Sequence, residues 1–465
     1  MSAFHKHKTA NSRVKSQSAV WRKYQFRLQQ KSAAQQALRR LWIYVLALGM
    51  GLLVIKGGFF VLAWLQSRPG GQSAATMPEI EHISRSQLQH LIDPDDLINP
   101  QTPVIHKQLA TGGYTLHTTL DEHLQKAVMA MMDQRYAKQI GIVVMDAQTG
   151  KILAMATYDR NDPEVNNCLN TCFPAASLFK IVSAAAALEI CDFAPETQLT
   201  FNGSKHTLYR SQLKDTINRY TNYVTLEKAF AESINPVFGK IGRLYLDKPG
   251  LEQYANAFGF NREMDFDLPM DMSIATISER PYNWAEIACG FNKTTRISAV
   301  HAAMLAAAVI HNGAMMRPYL IDRAAFKDRL IFWQAPKMLL RTIHPETARQ
   351  MQSLMNASVT RGTARSSFRC AQGAAILKYF DVGGKTGSIN DNPEQVKYDW
   401  FAGYARHRKS GKAIAAAVIV AHKDYIGVRA PEYFRKIVYE YMHHPLHASK
   451  AAQDSENGNT QAPWH

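Results

Sequence analysis

The sequence predicts an α/β protein of the α+β type, with one sheet built from strands far apart in the chain. Three observations carry this. Two strand-like runs, IGIVVMD (140–146) and KILAMATY (151–158), stand early and flank the turn residues AQTG. Three more, YFDVGGKTGS (379–388), YDWFAGYARH (398–407) and KAIAAAVIVAH (412–422), stand late. Between them the pattern is mostly helical, so early and late strands are expected to meet in one mixed sheet with helices around it.

The composition, 46% hydrophobic and 20% charged over 465 residues, supports a core of normal size. It excludes collagen-like, wholly disordered and small disulfide-scaffold classes. The formal net charge of +16 is unevenly placed. Residues 1–40 carry ten Lys and Arg, from Lys6 to Arg40, and no Asp or Glu; over 41–465 the balance is only +6. That distribution disfavours a nucleic-acid binder.

The elements follow in chain order. Residues 41–65 are 25 residues with one charge, Lys56, where a bilayer needs about 20. A cleaved signal peptide is a poor fit because the basic region ahead of the run is too long. The run is expected to be a single transmembrane signal anchor, with the basic arm 1–40 cytoplasmic and the rest exported. Trp21, Tyr24 and Phe26 within the arm suit a polybasic segment on anionic lipid. Lys56 has two readings: its ammonium snorkels to the interface, or it meets a polar partner in another membrane protein. Residues 66–113 read as a tether rich in Gly, Ser and Pro, broken at Pro94, Pro100 and Pro103, with a short helical SRSQLQHLI. From 114 to 445 the pattern is that of a folded domain. Leu120 to Tyr136 reads as a helix with Leu124, Val128, Met131 and Met132 on one side. SLFKIVSAAAALEI (177–190) reads as a buried helix behind Pro174, and ISAVHAAMLAAAVIHNG (297–313) as a helix stopped by Asn-Gly. EYFRKIVYEYM (432–442) is a final amphipathic helix, and 446–465 a disordered tail.

Five cysteines are too few for a disulfide framework. Cys168 and Cys172 are close enough to bridge in an oxidising compartment, or are two small buried hydrophobes. Cys-x3-Cys offers too few metal ligands, no His-Glu-x-x-His occurs, and His443, His444 and His447 open a polar tail where solvation is expected. No metal or other cofactor is expected.

Three short signals carry chemistry: Ser177-Leu-Phe-Lys180, Ser233-Ile-Asn235 and Lys385-Thr386-Gly387, followed by Ser388. Each is weak alone; their order, their spacings of 56 and 152 residues, and their settings make the set specific. Residues three apart on a helix share a face, so Lys180 can reach Ser177. A serine hydroxyl needs a neighbouring base, and an amine serves only when neutral. Apolar surroundings and a second cation push a lysine that way. A helix start favours developing negative charge at Ser177. Gly384-Lys385-Thr386 imitates the end of a phosphate loop, but Tyr379 occupies the position of the required first glycine and no helix follows. A strand bearing Lys385 and Thr386 suits a substrate carboxylate instead.

Taken together, Ser-x-x-Lys, Ser-x-Asn and Lys-Thr-Gly resemble the signature of the penicillin-recognising serine acyl-transferases, the penicillin-binding proteins and serine β-lactamases. HTTLDEHLQKAV (117–128), FPAASLFKI (173–181), SINPVFGKIG (233–242), RGTA (361–364), GGKTGS (383–388) and DWFAGY (399–404) look like further landmarks of that transpeptidase domain. The resemblance covers about 114–442. It implies a β-lactamase/transpeptidase-like fold: a central, mostly antiparallel sheet flanked by helices, with a helical subdomain. It also implies roles. Ser177 attacks a D-alanyl-D-alanine stem peptide, Lys180 is its base, and Ser233 relays a proton to the leaving D-alanine. Asn235 holds the peptide backbone, Lys385, Thr386, Gly387 and Ser388 bind the substrate end, and the Ser177 and Ser388 N–H groups form the oxyanion hole.

The implied protein is a D,D-transpeptidase of the bacterial inner membrane, acting in the periplasm or outside the cytoplasm and inhibited covalently by β-lactams. A tether of 48 residues cannot hold the glycosyltransferase or pedestal domain of larger members, so a separate glycan polymerase is an expected partner. The rivals are a D,D-carboxypeptidase, an anchored serine β-lactamase with Asp267 or Asp271 near the site, and a non-catalytic β-lactam sensor or cell-wall scaffold. The intact Ser177, Lys180, Ser233 and Lys385 argue against the last.

Overall fold

The computed structural model describes residues 82–109, 112–391 and 395–443. The expected basic arm (1–40), the span 41–65 with Lys56, and the tail 446–465 lie outside the described residues. Among the described residues no helix is long and apolar enough to cross a membrane.

The five expected strands form one sheet. They are β1 (Ala137–Asp146), β2 (Ile152–Asp159), β3 (Phe380–Asp391), β4 (Val396–His407) and β5 (Ala413–Lys423). Their spatial order is β3-β4-β5-β1-β2, and every pairing is antiparallel, so the sheet is not mixed. The reason is the short β3–β4, β4–β5 and β1–β2 connections, which allow only antiparallel neighbours. β5 then lies beside β1, closing the early strands onto the late ones.

Alternation along β5 sorts its side chains between two cores. Ala415, Ala417, Ile419 and Ala421 join one apolar cluster, and Ile414, Ala416, Val418 and Val420 the other. Both faces are covered, which is why β5 reads as one unbroken apolar run. Seven helices carry labels here: α1 (Lys180–Ile190), α2 (Leu226–Ala231), α3 (Asn235–Lys240), α4 (Pro281–Cys289), α5 (Ala299–Ile310), α6 (Pro345–Thr360) and α7 (Ala430–Met442). The Ala-rich α5, capped by Ser298 and buried throughout, packs on β1, β4 and β5; α7 covers β4 and β5 with Phe434, Ile437 and Val438. β3 is left as an edge strand.

Two expectations are corrected. The helix after Leu120 runs only Glu122–Ala130, not to Tyr136. Asp121 caps its start, accepting from the Leu124 N–H at 2.9 Å; beyond its end, the Arg160 guanidinium holds the Gln134 and Arg135 carbonyls and leads the chain into β1. The second concerns the tether. Residues 82–109 and 112–113 are packed structure: a helix Arg85–Leu91, capped by Ser84, and a strand Val104–Leu109 paired with Gly112–Thr118. Those two strands continue into a four-stranded antiparallel sheet with Ile321–Phe326 and Arg329–Trp333. Leu88 and Leu97 are fully buried, which the prolines and polar composition conceal in the sequence.

Arg85 ties this segment down through Asp267, whose carboxylate is fully buried, meets Arg85 Nε at 3.0 Å and accepts the Leu320 and Ile321 N–H groups at 2.6 and 2.8 Å. Asp267 is thus a structural anchor. Asp267→Asn is expected to cost about 2 kcal/mol, because one buried ion pair loses its charge and one acceptor becomes a donor. Urea unfolding measures it; a change below about 0.5 kcal/mol, the size of an ordinary surface substitution, would contradict the assignment.

Candidate active site

The chain enters the site through Phe173–Ala175, pinned to the sheet. The Trp400 indole N–H donates to the Pro174 carbonyl at 2.9 Å, and the Ala175 N–H to the Thr295 carbonyl at 2.8 Å. Ala176 then turns with φ +47°, a left-handed conformation unusual for a residue with a Cβ, and Ala176–Phe179 form a 3₁₀ turn leading into α1. Ser177 therefore sits just ahead of the α-helix. Its i+3 relation to Lys180 survives, since side chains three apart eclipse in a 3₁₀ turn.

Close approach here depends on one glycine. Gly290, at φ +70°, ends α4; a Cβ on it would lie 1.8 Å from the Ala176 carbonyl oxygen and 2.9 Å from the Ser177 nitrogen. Gly387 of β3 passes the same loop less tightly: an added Cβ would stand 3.4 Å from the Ala175 carbonyl oxygen, an ordinary van der Waals distance.

Lys180 is fully buried, and its Nζ donates to Ser177 Oγ at 2.8 Å, to Asn235 Oδ1 at 2.8 Å and to the Cys289 carbonyl. That carbonyl is free to accept because α4 ends there, leaving its last C=O groups without helical partners. Burial pulls the Lys180 pKa down to about 8. Ser233 follows α2 with φ +56°; its hydroxyl donates to Ser177 Oγ at 3.0 Å and accepts from Lys385 Nζ at 3.0 Å. Lys385 is fully buried too, with a second bond to the Thr386 carbonyl at 2.9 Å, and its pKa is held well below the usual lysine range by burial and then by the charge of Lys180. Neither lysine has a carboxylate partner among the described residues. The result is one hydrogen-bonded line, Lys180–Ser177–Ser233–Lys385, drawn from segments 56 and 152 residues apart.

The remaining expected residues adjoin this line, and each has contacts within the protein itself. Asn235 spends its amide internally: Oδ1 on Lys180, Nδ2 on the His206 carbonyl at 3.1 Å, while its N–H donates to the Lys205 carbonyl at 2.7 Å. Thr386 Oγ1 lies 2.6 Å from Thr363 Oγ1. Ser388, opposite Asp399 on β4, is exposed on the edge strand.

Sequence reasoning missed three contributors. Thr363, inside the RGTA segment, donates its N–H to the Ala231 carbonyl and ties α2 to β3; its signal was present but carried no role. The Cys289 carbonyl and the 205–206 backbone have no side-chain signature to read. Asp271 accepts from the Thr171 N–H at 3.2 Å, and Asp267 is committed as above. Cys168 is buried, its thiol directed at the Ile142 and Ala156 carbonyls and its pKa pushed up to about 12 by burial, whereas Cys172 is exposed; the two form no disulfide.

Two buried lysines flank two hydroxyls: in its neutral form Lys180 can take the Ser177 proton, Ser233 can pass one on, and a protonated lysine can attract an anion. The family described as penicillin binding protein transpeptidase domain matches residues 140–439. Penicillin-binding protein PbpB of Mycolicibacterium smegmatis is 27% identical over 327 residues, 64% of this chain and 49% of that protein. The peptidoglycan D,D-transpeptidase PbpA of the same organism is 24% identical over 351 residues, covering 66% and 67%. The chain thus spans about half of one relative and two thirds of the other. Among solved structures, the D,D-transpeptidase domain of a peptidoglycan glycosyltransferase from Eggerthella lenta superposes with a TM-score of 0.59 at 23% identity, covering 70% of this chain and 82% of that one. The penicillin G acyl-enzyme complex of penicillin-binding protein A from M. tuberculosis gives 0.57 at 21% identity, covering 70% and 80%. Both likenesses concern the fold.

Proposed function

Because the chain belongs to the penicillin binding protein transpeptidase domain family, we propose that it is a membrane-anchored serine D,D-transpeptidase that crosslinks peptidoglycan stem peptides. The observation that carries this is the hydrogen-bonded line from Lys180 through Ser177 and Ser233 to Lys385, with both lysines buried.

In the proposed reaction, neutral Lys180 takes the Ser177 hydroxyl proton as Oγ attacks the penultimate D-alanine carbonyl. The Ser177 and Ser388 N–H groups receive the oxyanion. As the peptide bond breaks, a proton passes through Ser233 to the departing D-alanine nitrogen, leaving an ester on Ser177. An amine from a second stem peptide then displaces Oγ, forming the crosslink and returning the proton. Lys385, Thr386 and Gly387 form the stretch of strand that draws in the terminal carboxylate of the donor. Asn235 serves first to hold Lys180, since its Oδ1 is already taken.

A β-lactam would acylate Ser177 by the same attack, its ring opening in place of the peptide. The commitment of Asp267 to backbone N–H groups favours a persistent acyl-enzyme over a β-lactamase. The arm 1–40 and span 41–65 supply the anchor, and a separate glycan polymerase would supply strands; co-purification from membranes with Lys56→Leu as control tests whether Lys56 contributes to that contact.

The reading is tested with fluorescent penicillin. Stable labelling is expected, and Ser177→Ala is expected to abolish it. Folded protein that takes no label would sink the catalytic claim, and rapid loss of label would favour hydrolysis.

A further inference from the structure

The loop that clamps Asn235 through the Lys205 and His206 carbonyls has a second function available farther along. There Arg210, Lys214, Arg243 and Arg280 line a cleft of about 940 Å³ at the start of α4. Among the described residues none of the four is paired with a carboxylate. Arg243 donates to the Leu213 carbonyl, and the Arg210 guanidinium lies 5.5 Å from the Tyr282 ring centre. The cleft's own carboxylates only partly offset this charge: Glu279 is held by Lys248 at 2.5 Å, and Glu286 alone stands against the four cations. Four like charges around one concavity repel each other and focus a positive potential into it, which an anion relieves.

Lys214 also borders a second depression, of about 410 Å³, lined by hydroxyl and amide side chains and by Tyr209, which is 63% exposed. A flat aromatic beside convergent hydrogen-bonding groups fits a polar, ring-bearing ligand. The two depressions therefore suit one polymer carrying both carboxylates and sugars.

We propose that they form a docking track for the glycan-peptide polymer itself, the cations of the larger cleft taking its carboxylates; this rests on the transpeptidase reading above. α4 runs from the cleft to Cys289, whose carbonyl holds Lys180. At 1.5 Å per residue its length is roughly 13 Å. A strand held in the track thus lies one helix length from Lys180, and successive stem peptides reach Ser177 without the strand leaving the protein.

The probe is a fluorescein-labelled disaccharide–L-Ala–γ-D-Glu–L-Lys muropeptide, which lacks both D-alanines and offers Ser177 no scissile bond. Its anisotropy is titrated with the full-length protein and with Lys214→Glu/Arg280→Glu, two exposed side chains with no protein partner among the described residues. Saturable binding is expected, weakening as salt is raised and by about tenfold or more in the double variant. The melting temperature and the rate of penicillin labelling are expected to stay as in the wild type. Equal affinity for wild type and double variant overturns the proposal. So does undiminished binding of a muropeptide with amidated carboxyls, or capture by anionic phospholipid vesicles without muropeptide binding, which would assign the cleft to a membrane. If penicillin labelling fails while charge-dependent muropeptide binding persists, the transpeptidase reading falls and the docking site stands.

Discussion

Lys180→Met is expected to slow acylation by fluorescent penicillin by about 10³-fold, within the range usual for loss of a positioned general base. Methionine keeps the apolar stem in the buried helix α1 but removes the group 2.8 Å from Ser177 Oγ. The wild type carries a second signature. With its pKa drawn down to about 8 by burial, Lys180 is mostly protonated at pH 6 and mostly neutral at pH 9. Only the neutral amine accepts a proton, so the second-order acylation constant should rise through pH 8 and level off above it. A profile that is flat, or that falls over this interval, would remove Lys180 as the base. Lys180→Met and Ser177→Ala act on one step, so their combined effect should fall far short of the product of the two.

Gly290→Ala is expected to destabilise the fold by about 2–4 kcal/mol and to slow acylation by about 10²-fold. Alanine at φ +70° is disfavoured by about 1 kcal/mol on its own account. The larger part comes from the Cβ, which would stand 1.8 Å from the Ala176 carbonyl oxygen and force the Ser177 loop away from Lys180. Gly411→Ala is the control: its φ is also +70°, yet nothing lies within 4 Å of the added Cβ, so only the backbone cost should appear. Chemical denaturation and labelling rates of the two variants separate strain from collision. Equal losses in both would show that the contact with Ala176 is immaterial.

The strands were legible because alternation and apolar runs are local, and β5 displays both cores in nine residues, 413–421. The antiparallel order was not, since adjacency of β5 and β1 is a contact between distant segments. The packed part of 66–113 was hidden because Arg85 finds its carboxylate 182 residues later, and the prolines between dominate the local pattern. At the site, Ser177, Lys180, Ser233, Asn235 and Lys385 could be picked out because three short signals, each weak alone, stand in the order and spacing that resemble the family signature. Thr363 stood in view as part of RGTA without a role, which only its contact with Thr386 supplies.

The sequence by itself determined which groups are available: two serines, two lysines, an amide, and glycines where the backbone must pass closely. Tertiary structure alone decided what those groups are chemically. A lysine becomes a base when water is removed around it, and around the Lys180 Nζ stand Asn235 and Phe238 of α3 and the Cys289 carbonyl of α4, all distant in the chain. Even the acceptor that holds its ammonium, the Cys289 carbonyl, exists as a ligand only because α4 stops at Gly290. Residue identity is local, whereas dielectric and distance belong to the assembled fold.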